Sequence, residues 1–244
     1  MPDDRPQRDG GALAGQVALV TGGSRGIGLA IARRLGSMGA RVAVCGRNAD
    51  SLEQASQRLT AEGISAVALS ADVTRASEVT AFVQKAESEM GPADILVNNA
   101  GIGIFGPFHE RSESEWDAVL DTNLKSVFLM SQAVVPGMIQ RGRGYIVNIS
   151  SLAGKNAFVG GGIYCASKWG LMGLNNCMAE ELRVHGIRVC VVCPGSVATE
   201  FSPHTGRNPA KMLQAEDVAH AVASIVTEGP RSFMSEISLR PLQK

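Results

Sequence analysis

The chain has 244 residues, 45% of them hydrophobic, and its 23 basic residues balance its 23 acidic ones. That length and apolar share suit one large α/β domain with a sizeable core. No basic run or aromatic patch points to nucleic acid, and no apolar run reaches the roughly eighteen residues a membrane span needs.

Residues 1–14 are polar and glycine-rich and lack the apolar core of a signal peptide. They predict a loose tail ahead of a single domain over 15–244, in a chain expected to remain in the cytoplasm. Val17 to Thr21 is an apolar, β-branched run that leads straight into Gly22-Gly-Ser-Arg-Gly-Ile-Gly28. Ile27, Ala30, Ile31, Arg34, Leu35 and Met38 then fall at helical spacing, and Gly39 closes the helix. The glycines therefore occupy a strand-to-helix turn, where backbone N–H groups and the helix dipole can hold a pyrophosphate. Their spacing is G-x-x-x-G-x-G rather than the better-known G-x-G-x-x-G.

The alternation continues along the chain. Arg41 to Cys45 reads as a strand, Asp50 to Glu62 as a helix, and Ala66 to Leu69 as a strand followed by Asp72-Val73. Ser77 to Met90 is a helix, and Ile95 to Val97 a strand ending in Asn98-Asn-Ala-Gly101. A long helical stretch covers Ser112 to Ile139, with the strand Tyr145 to Ile149 after it. A helix from about Gly162 to His185 precedes the strand Val189 to Val192, which runs into Pro194-Gly195. A final helix, Ala215 to Thr227, comes before a short strand near Ile237. Strands alternating with such helices predict a single doubly wound, Rossmann-like domain: a mostly parallel seven-stranded sheet with helices on both faces. The ligand crevice is expected at the carboxyl ends of the strands.

Cys45, Cys165, Cys177, Cys190 and Cys193 lie mostly inside apolar runs. Cys190 and Cys193 form a C-x-x-C, but positions i and i+3 of a strand face opposite sides, so buried free thiols are expected rather than a metal or disulfide.

The stretch from Ser151 to Lys168 carries the chemistry. Tyr164 and Lys168 stand four residues apart at helical spacing, one turn apart on one face. A free tyrosine titrates near pH 10, and a neighbouring ammonium is expected to lower that value toward neutrality. Ser151, just past a strand, can point across a cleft and hydrogen-bond a substrate oxygen. Taken alone, such a pair is usually a packed ring and a solvated amine. The motifs gathered at the strand ends favour a site that moves a proton onto or off a carbonyl or alcohol oxygen.

From about Gly15 to Val226 the chain resembles the short-chain dehydrogenase/reductase family in its single-domain form. The motifs TGGSRGIG (21–28), DV (72–73), NNAG (98–101), TN (122–123), SSLAG (150–154), YCASK (164–168) and PG (194–195) stand in order at family spacing. The resemblance implies that Ser151 steadies the substrate carbonyl, Tyr164 donates the proton, and Lys168 lowers the tyrosine pKa and holds the nicotinamide ribose. Asn123 is similar to the family residue that bends the fourth helix and holds a water leading to the lysine. By the same resemblance Gly22, Ser24, Arg25, Gly26, Ile27 and Gly28 form the cofactor turn. Asp72 and Val73 are adenine contacts, Asn99, Ala100 and Gly101 line the cofactor, and Asn98 ties neighbouring strands. Pro194, Gly195, Val197 and Thr199 flank the nicotinamide.

In members that prefer NAD an acidic residue ends the second strand. Here Gly46 takes that place, followed by Arg47, with Arg25 in the glycine turn. Two guanidinium groups and no carboxylate suit the 2′-phosphate of NADPH. The implied activity is NADPH-dependent reduction of a ketone, a 3-oxoacyl thioester or similar carbonyl. The alternatives are a dehydrogenase of small hydroxy acids or sugars, and a cofactor-sensing or scaffold protein that kept the fold without turnover. The similarity to 3-oxoacyl-(acyl-carrier-protein) reductases has two departures: a shorter substrate loop, about 195–213, and an end without a V-D-G-G-like segment. Ile102, Ile104, Phe105, Leu152, Ala153, Phe158, Val159 and Phe201 are expected around the substrate, with Gly160-Gly-Gly162 leaving the approach to Tyr164 open. A homodimer or homotetramer is expected.

Overall fold

The computed structural model describes residues 11–201 and 208–243. Seven strands form one sheet among them: β1 (Val17–Thr21), β2 (Arg41–Gly46), β3 (Ala66–Ser70), β4 (Ile95–Asn98), β5 (Gly144–Ile149), β6 (Ile187–Pro194) and β7 (Glu236–Leu239). Their order is β3-β2-β1-β4-β5-β6-β7 and every neighbouring pair is parallel. The central strands are buried on both faces, which is why they read as continuous Val, Ile, Leu and Ala runs rather than as alternating ones.

Period-two alternation divides the core between the two faces of the sheet. Ala18 and Val20 of β1 pack with α1 (Gly26–Ser37), α2 (Ala49–Ala61) and α7 (Ala215–Val226). Val17 and Leu19 pack with α3 (Ala76–Met90), α5 (Ser126–Arg141) and α6 (Gly162–Leu182) on the other face. Cys190 likewise belongs to the first face, whereas the Cys193 sulfur sits 3.7 Å from the Met172 sulfur of α6. All five cysteines are free thiols. Among the described residues no helix is long and apolar enough to cross a membrane.

Two expectations about the fold are corrected. The tail expected through residue 14 gives way at Gly11 to a packed turn: Leu13 is wholly buried and its N–H donates to the Met38 carbonyl at 2.8 Å. Residues 1–10 lie outside the described residues. The helix expected over 112–139 is two helices, α4 (Glu113–Leu120) and α5, joined by a π-helical turn over Asp121–Lys125. A reciprocal Ser112–Glu115 capping box starts α4. Period alone could not reveal the joint, because an inserted π-turn keeps the chain helical and shifts its face by one residue. The substrate loop is pinned at its base, with Val197 bridged to Leu213 and the Leu213 N–H donating to the Ser196 carbonyl at 3.1 Å. Residues 202–207 of that loop lie outside the described residues.

Candidate active site

All seven strands point the same way, so the loops that follow them share one edge of the sheet. Gly22 and Gly26 adopt φ of +63° and +53°, in the left-handed region that glycine enters without strain. Gly28 is required for a different reason: a Cβ there would lie 2.2 Å from the Gly22 carbonyl oxygen. The loop after β4 is tied to this turn. The Thr21 hydroxyl accepts from the N–H groups of Asn99 and Ala100, both at 3.0 Å, while the Asn99 amide donates to the carbonyls of Thr21 and Gly22 at 2.9 and 3.2 Å. Helix α1 begins without a capping side chain and without an acidic residue in its first turn, whereas α2 and α4 are capped by Asn48 and Ser112. Its first N–H groups thus face the crevice with the positive end of the helix dipole.

Across the crevice, Ser151 follows β5 and Tyr164 and Lys168 sit in the first two turns of α6. The Ser151 hydroxyl lies close enough to Tyr164 to lower its proton affinity and accepts from the Ala153 N–H at 3.1 Å. Lys168 is buried, donates to the Ile149 carbonyl at 2.9 Å, and holds its nitrogen 5.8 Å from the Tyr164 ring centre. Burial pulls Lys168 down to about 8 and pushes Tyr164 up to about 12, the latter opposed by the Ser151 hydroxyl. The expectation that the lysine draws the tyrosine toward neutrality is therefore corrected. Desolvation of the phenolate sets the direction, and Lys168, itself buried and donating to the Ile149 carbonyl, does not offset it. Near neutral pH Tyr164 is a protonated acid beside a lysine that still carries its charge.

Asn123 lies on the π-turn, just behind the crevice rather than on its wall. Its Oδ1 accepts from the Ile102 N–H at 2.8 Å, and its Nδ2 donates to the Ile102 carbonyl at 2.9 Å and the Ser167 hydroxyl at 3.0 Å. Ser167 in turn donates to the Tyr164 carbonyl at 2.8 Å. The side chain thus fastens the loop after β4 to the helix that carries the tyrosine.

The crevice between these elements has a volume of about 2070 Å³. Every other residue expected at the cofactor and at the reacting centre lines it: Gly22, Ser24, Arg25, Gly26, Ile27, Gly28, Arg47, Asp72, Val73, Asn99, Ala100, Gly101, Ser151, Tyr164, Lys168, Pro194, Gly195, Val197 and Thr199. Of the expected substrate neighbours, Ile102, Phe105, Leu152, Ala153, Phe158 and Phe201 line it, while Ile104 and Val159 do not, and Val159 points fully into solvent. Gly160 and Gly161 do not open the approach. The Gly160 carbonyl accepts from the Gly106 N–H at 2.8 Å, and the Phe158 ring lies 2.5 Å from where a Cβ of Gly161 would stand.

The two arginines are not free of carboxylates. Arg25 donates to Glu200 at 2.5 Å in an exposed pair, and Arg47 adds to the field on Asp72. Burial pushes the Asp72 carboxyl up, but the Thr74 N–H and hydroxyl with Arg47 and Arg75 outweigh it and hold the acid below its ordinary value.

The family model described as short chain dehydrogenase matches residues 16–210. The chain belongs to the short-chain dehydrogenase family. It is 44% identical to gluconate 5-dehydrogenase of Gluconobacter oxydans over 191 residues, 78% of this chain and 75% of that protein. It is 36% identical over 241 residues to glycine betaine reductase ATRR of Emericella nidulans, covering 95% of this chain but only 19% of that relative's length. Among solved structures, a metagenomic short-chain oxidoreductase in complex with NADP superposes with a TM-score of 0.84 at 44% identity, covering 94% of this chain and 99% of that one. A variant of actinorhodin polyketide ketoreductase with NADPH does so with a TM-score of 0.88 at 34% identity, covering 95% and 98%.

Within this short-chain dehydrogenase site, sequence reasoning missed Thr21 as the knot between the glycine turn and the β4 loop. Its signal was its place as first letter of the turn motif. Glu200 gave no signal, because its contact to Arg25 spans 175 residues of chain.

Proposed function

We propose that the chain is an NADPH-dependent reductase that converts a ketone to a secondary alcohol. The observation that carries this reading is the meeting of Ser151, Tyr164 and Lys168 at one end of a crevice whose other end holds the uncapped start of α1. The crevice residues fit a dinucleotide. Beside Gly26 a Cβ would meet only the Thr199 side chain, at 3.5 Å, so the turn leaves its outer face to a phosphate. The first N–H groups of α1 would hold the pyrophosphate, Lys168 the nicotinamide ribose, and Arg47, with Arg25 once it leaves Glu200, a 2′-phosphate. When bound, the reduced nicotinamide supplies a hydride for the carbonyl carbon.

The side chains supply the rest. Ser151 donates a hydrogen bond to the carbonyl oxygen and orients it. Tyr164 gives its phenolic proton to that oxygen as the C=O bond becomes a C–O–H, and Lys168 stabilises the phenolate left behind. Burial suits this direction, since it keeps the tyrosine protonated until an alkoxide forms beside it. A cofactor sensor would need the glycine turn but no buried acid.

Near Tyr164 the walls include the apolar side chains of Phe105, Leu152, Ala153, Phe158 and Phe201. They support a ketone carrying an acyl or aryl tail over a polyhydroxylated one, whose hydroxyls would go unpaired there. The likeness to gluconate 5-dehydrogenase favours a second reading, oxidation of a sugar acid. NADPH oxidation with an acetoacetyl ester and with a keto-sugar acid separates the two. A higher kcat/KM for the ester is expected, and a preference for the keto-sugar acid would move the assignment to carbohydrate chemistry.

We further propose a homodimer or larger closed oligomer. Trp116, Phe128 and Trp169, on α4, α5 and α6, are half-exposed, and such rings on neighbouring helices suit a self-complementary interface.

A further inference from the structure

Three phenylalanines from three different loops converge on the reacting tyrosine. Phe105 comes from the loop after β4, Phe158 from the loop between β5 and α6, and Phe201 from the loop after β6. The Phe105 ring stands 5.4 Å from the Tyr164 ring at 67°, nearly edge to face. Phe201 stands 5.8 Å from Tyr164 at 55°, and Phe158 stands 6.0 Å from Phe105 at 46°. Phe105 and Phe201 also close over Gly103, where a Cβ would lie 2.6 Å from one ring and 3.0 Å from the other.

These rings are not core filling. Phe105, Phe158 and Phe201 keep 36%, 48% and 43% of their surface exposed, and all three face the crevice. Tyr164 beneath them is only 8% exposed, so the rings form a cap that a substrate must part to bring its oxygen to Ser151 and Tyr164. An entering ligand then replaces ring-to-ring contacts. An aromatic ligand replaces them in kind, presenting an electropositive edge to a ring face or a face to a ring edge. A saturated ligand of the same size breaks them and returns only dispersion.

We propose that the cap selects for ketones bearing an aromatic ring close to the carbonyl, over saturated ketones of equal size. The inference rests on the reductase reading above and narrows its substrate class.

A matched pair tests it: 1-phenylpropan-2-one against 1-cyclohexylpropan-2-one, each with NADPH. Both carbonyls are unconjugated, and the cyclohexyl compound is the more hydrophobic, so apolar burial alone favours it. We expect the phenyl ketone to lead in kcat/KM by about tenfold, the scale of one to two aromatic contacts. Phe105→Leu and Phe158→Leu, which keep an apolar side chain but remove the ring, should each lower the phenyl-to-cyclohexyl ratio by about two- to tenfold. Because the measure is a ratio within one protein, a partly unfolded variant does not distort it. A cyclohexyl ketone reduced as well as or better than the phenyl ketone, or a ratio unmoved by both substitutions, would overturn the cap and leave the reductase standing. No NADPH oxidation with either ketone or with an acetoacetyl ester would overturn the reductase reading and the cap with it.

Discussion

Gly46→Asp should turn the cofactor preference from NADPH to NADH. Gly46 ends β2, paired in register with Ser70, and its carbonyl accepts from the Ala71 N–H at 3.0 Å. Its φ lies outside the left-handed region, so a side chain costs no backbone strain. A Cβ built there meets the Ser24 hydroxyl at 3.5 Å and Leu52 carbons at 3.8 and 3.9 Å, all ordinary contacts. Stability should therefore change by no more than about 0.5 kcal/mol, as for an unstrained surface substitution. The binding effect has two parts. A carboxylate beside Arg47 competes with the 2′-phosphate for that guanidinium, removing a charge-assisted hydrogen bond of about 1.5–3 kcal/mol. The same carboxylate accepts from the ribose hydroxyls of NADH, a gain on the same scale. Taking the lower figure for each, the ratio of the two dissociation constants shifts by about 3 kcal/mol, or roughly a hundredfold. Calorimetric titration of each cofactor reads this directly, with Arg47→Ala as the control that should weaken NADPH alone. Equal weakening of both cofactors by Gly46→Asp would show that the end of β2 does not face the adenosine ribose, and the 2′-phosphate assignment would fall.

Replacing Tyr164 by Phe should lower kcat by about 10²–10⁴-fold, the span of general acid catalysis, with NADPH affinity nearly unchanged. A variant that kept more than half its activity would remove Tyr164 from the chemistry. Ketone reduction should hold at low pH and fall as pH rises through about 8, where Lys168 loses its charge while Tyr164, at about 12, stays protonated. Alcohol oxidation, which begins from the phenolate, should not rise over that range but only as pH climbs toward about 12, and an oxidation rate already rising near pH 8 would contradict the assignment. Light scattering at micromolar concentration should give at least twice the 25.6 kDa chain mass, and a monomer would rule out the proposed assembly.

The parts of the site legible in the sequence are those whose chemistry is local. The glycine turn is marked by residues that must approach backbone closely, as the 2.2 Å separation at Gly28 requires. Tyr164 and Lys168 are marked by helical spacing, and a parallel sheet brings every strand-end motif to one edge without further information. What stayed hidden depends on the packed molecule. Leu13 looked like tail because a single leucine among polar residues has no periodicity, yet it seals the start of β2 beside Met38. The π-turn at Asn123 preserves helical composition on both sides. The Arg25–Glu200 pair joins loops that only the completed fold makes adjacent. The proton affinity of Tyr164 is the sharpest case. Spacing correctly placed an ammonium nearby, but the sign of the shift follows from burial, which no spacing reports. A phenol raised by desolvation stays protonated at neutral pH and gives up its proton only to a stronger base, such as an alkoxide forming beside it.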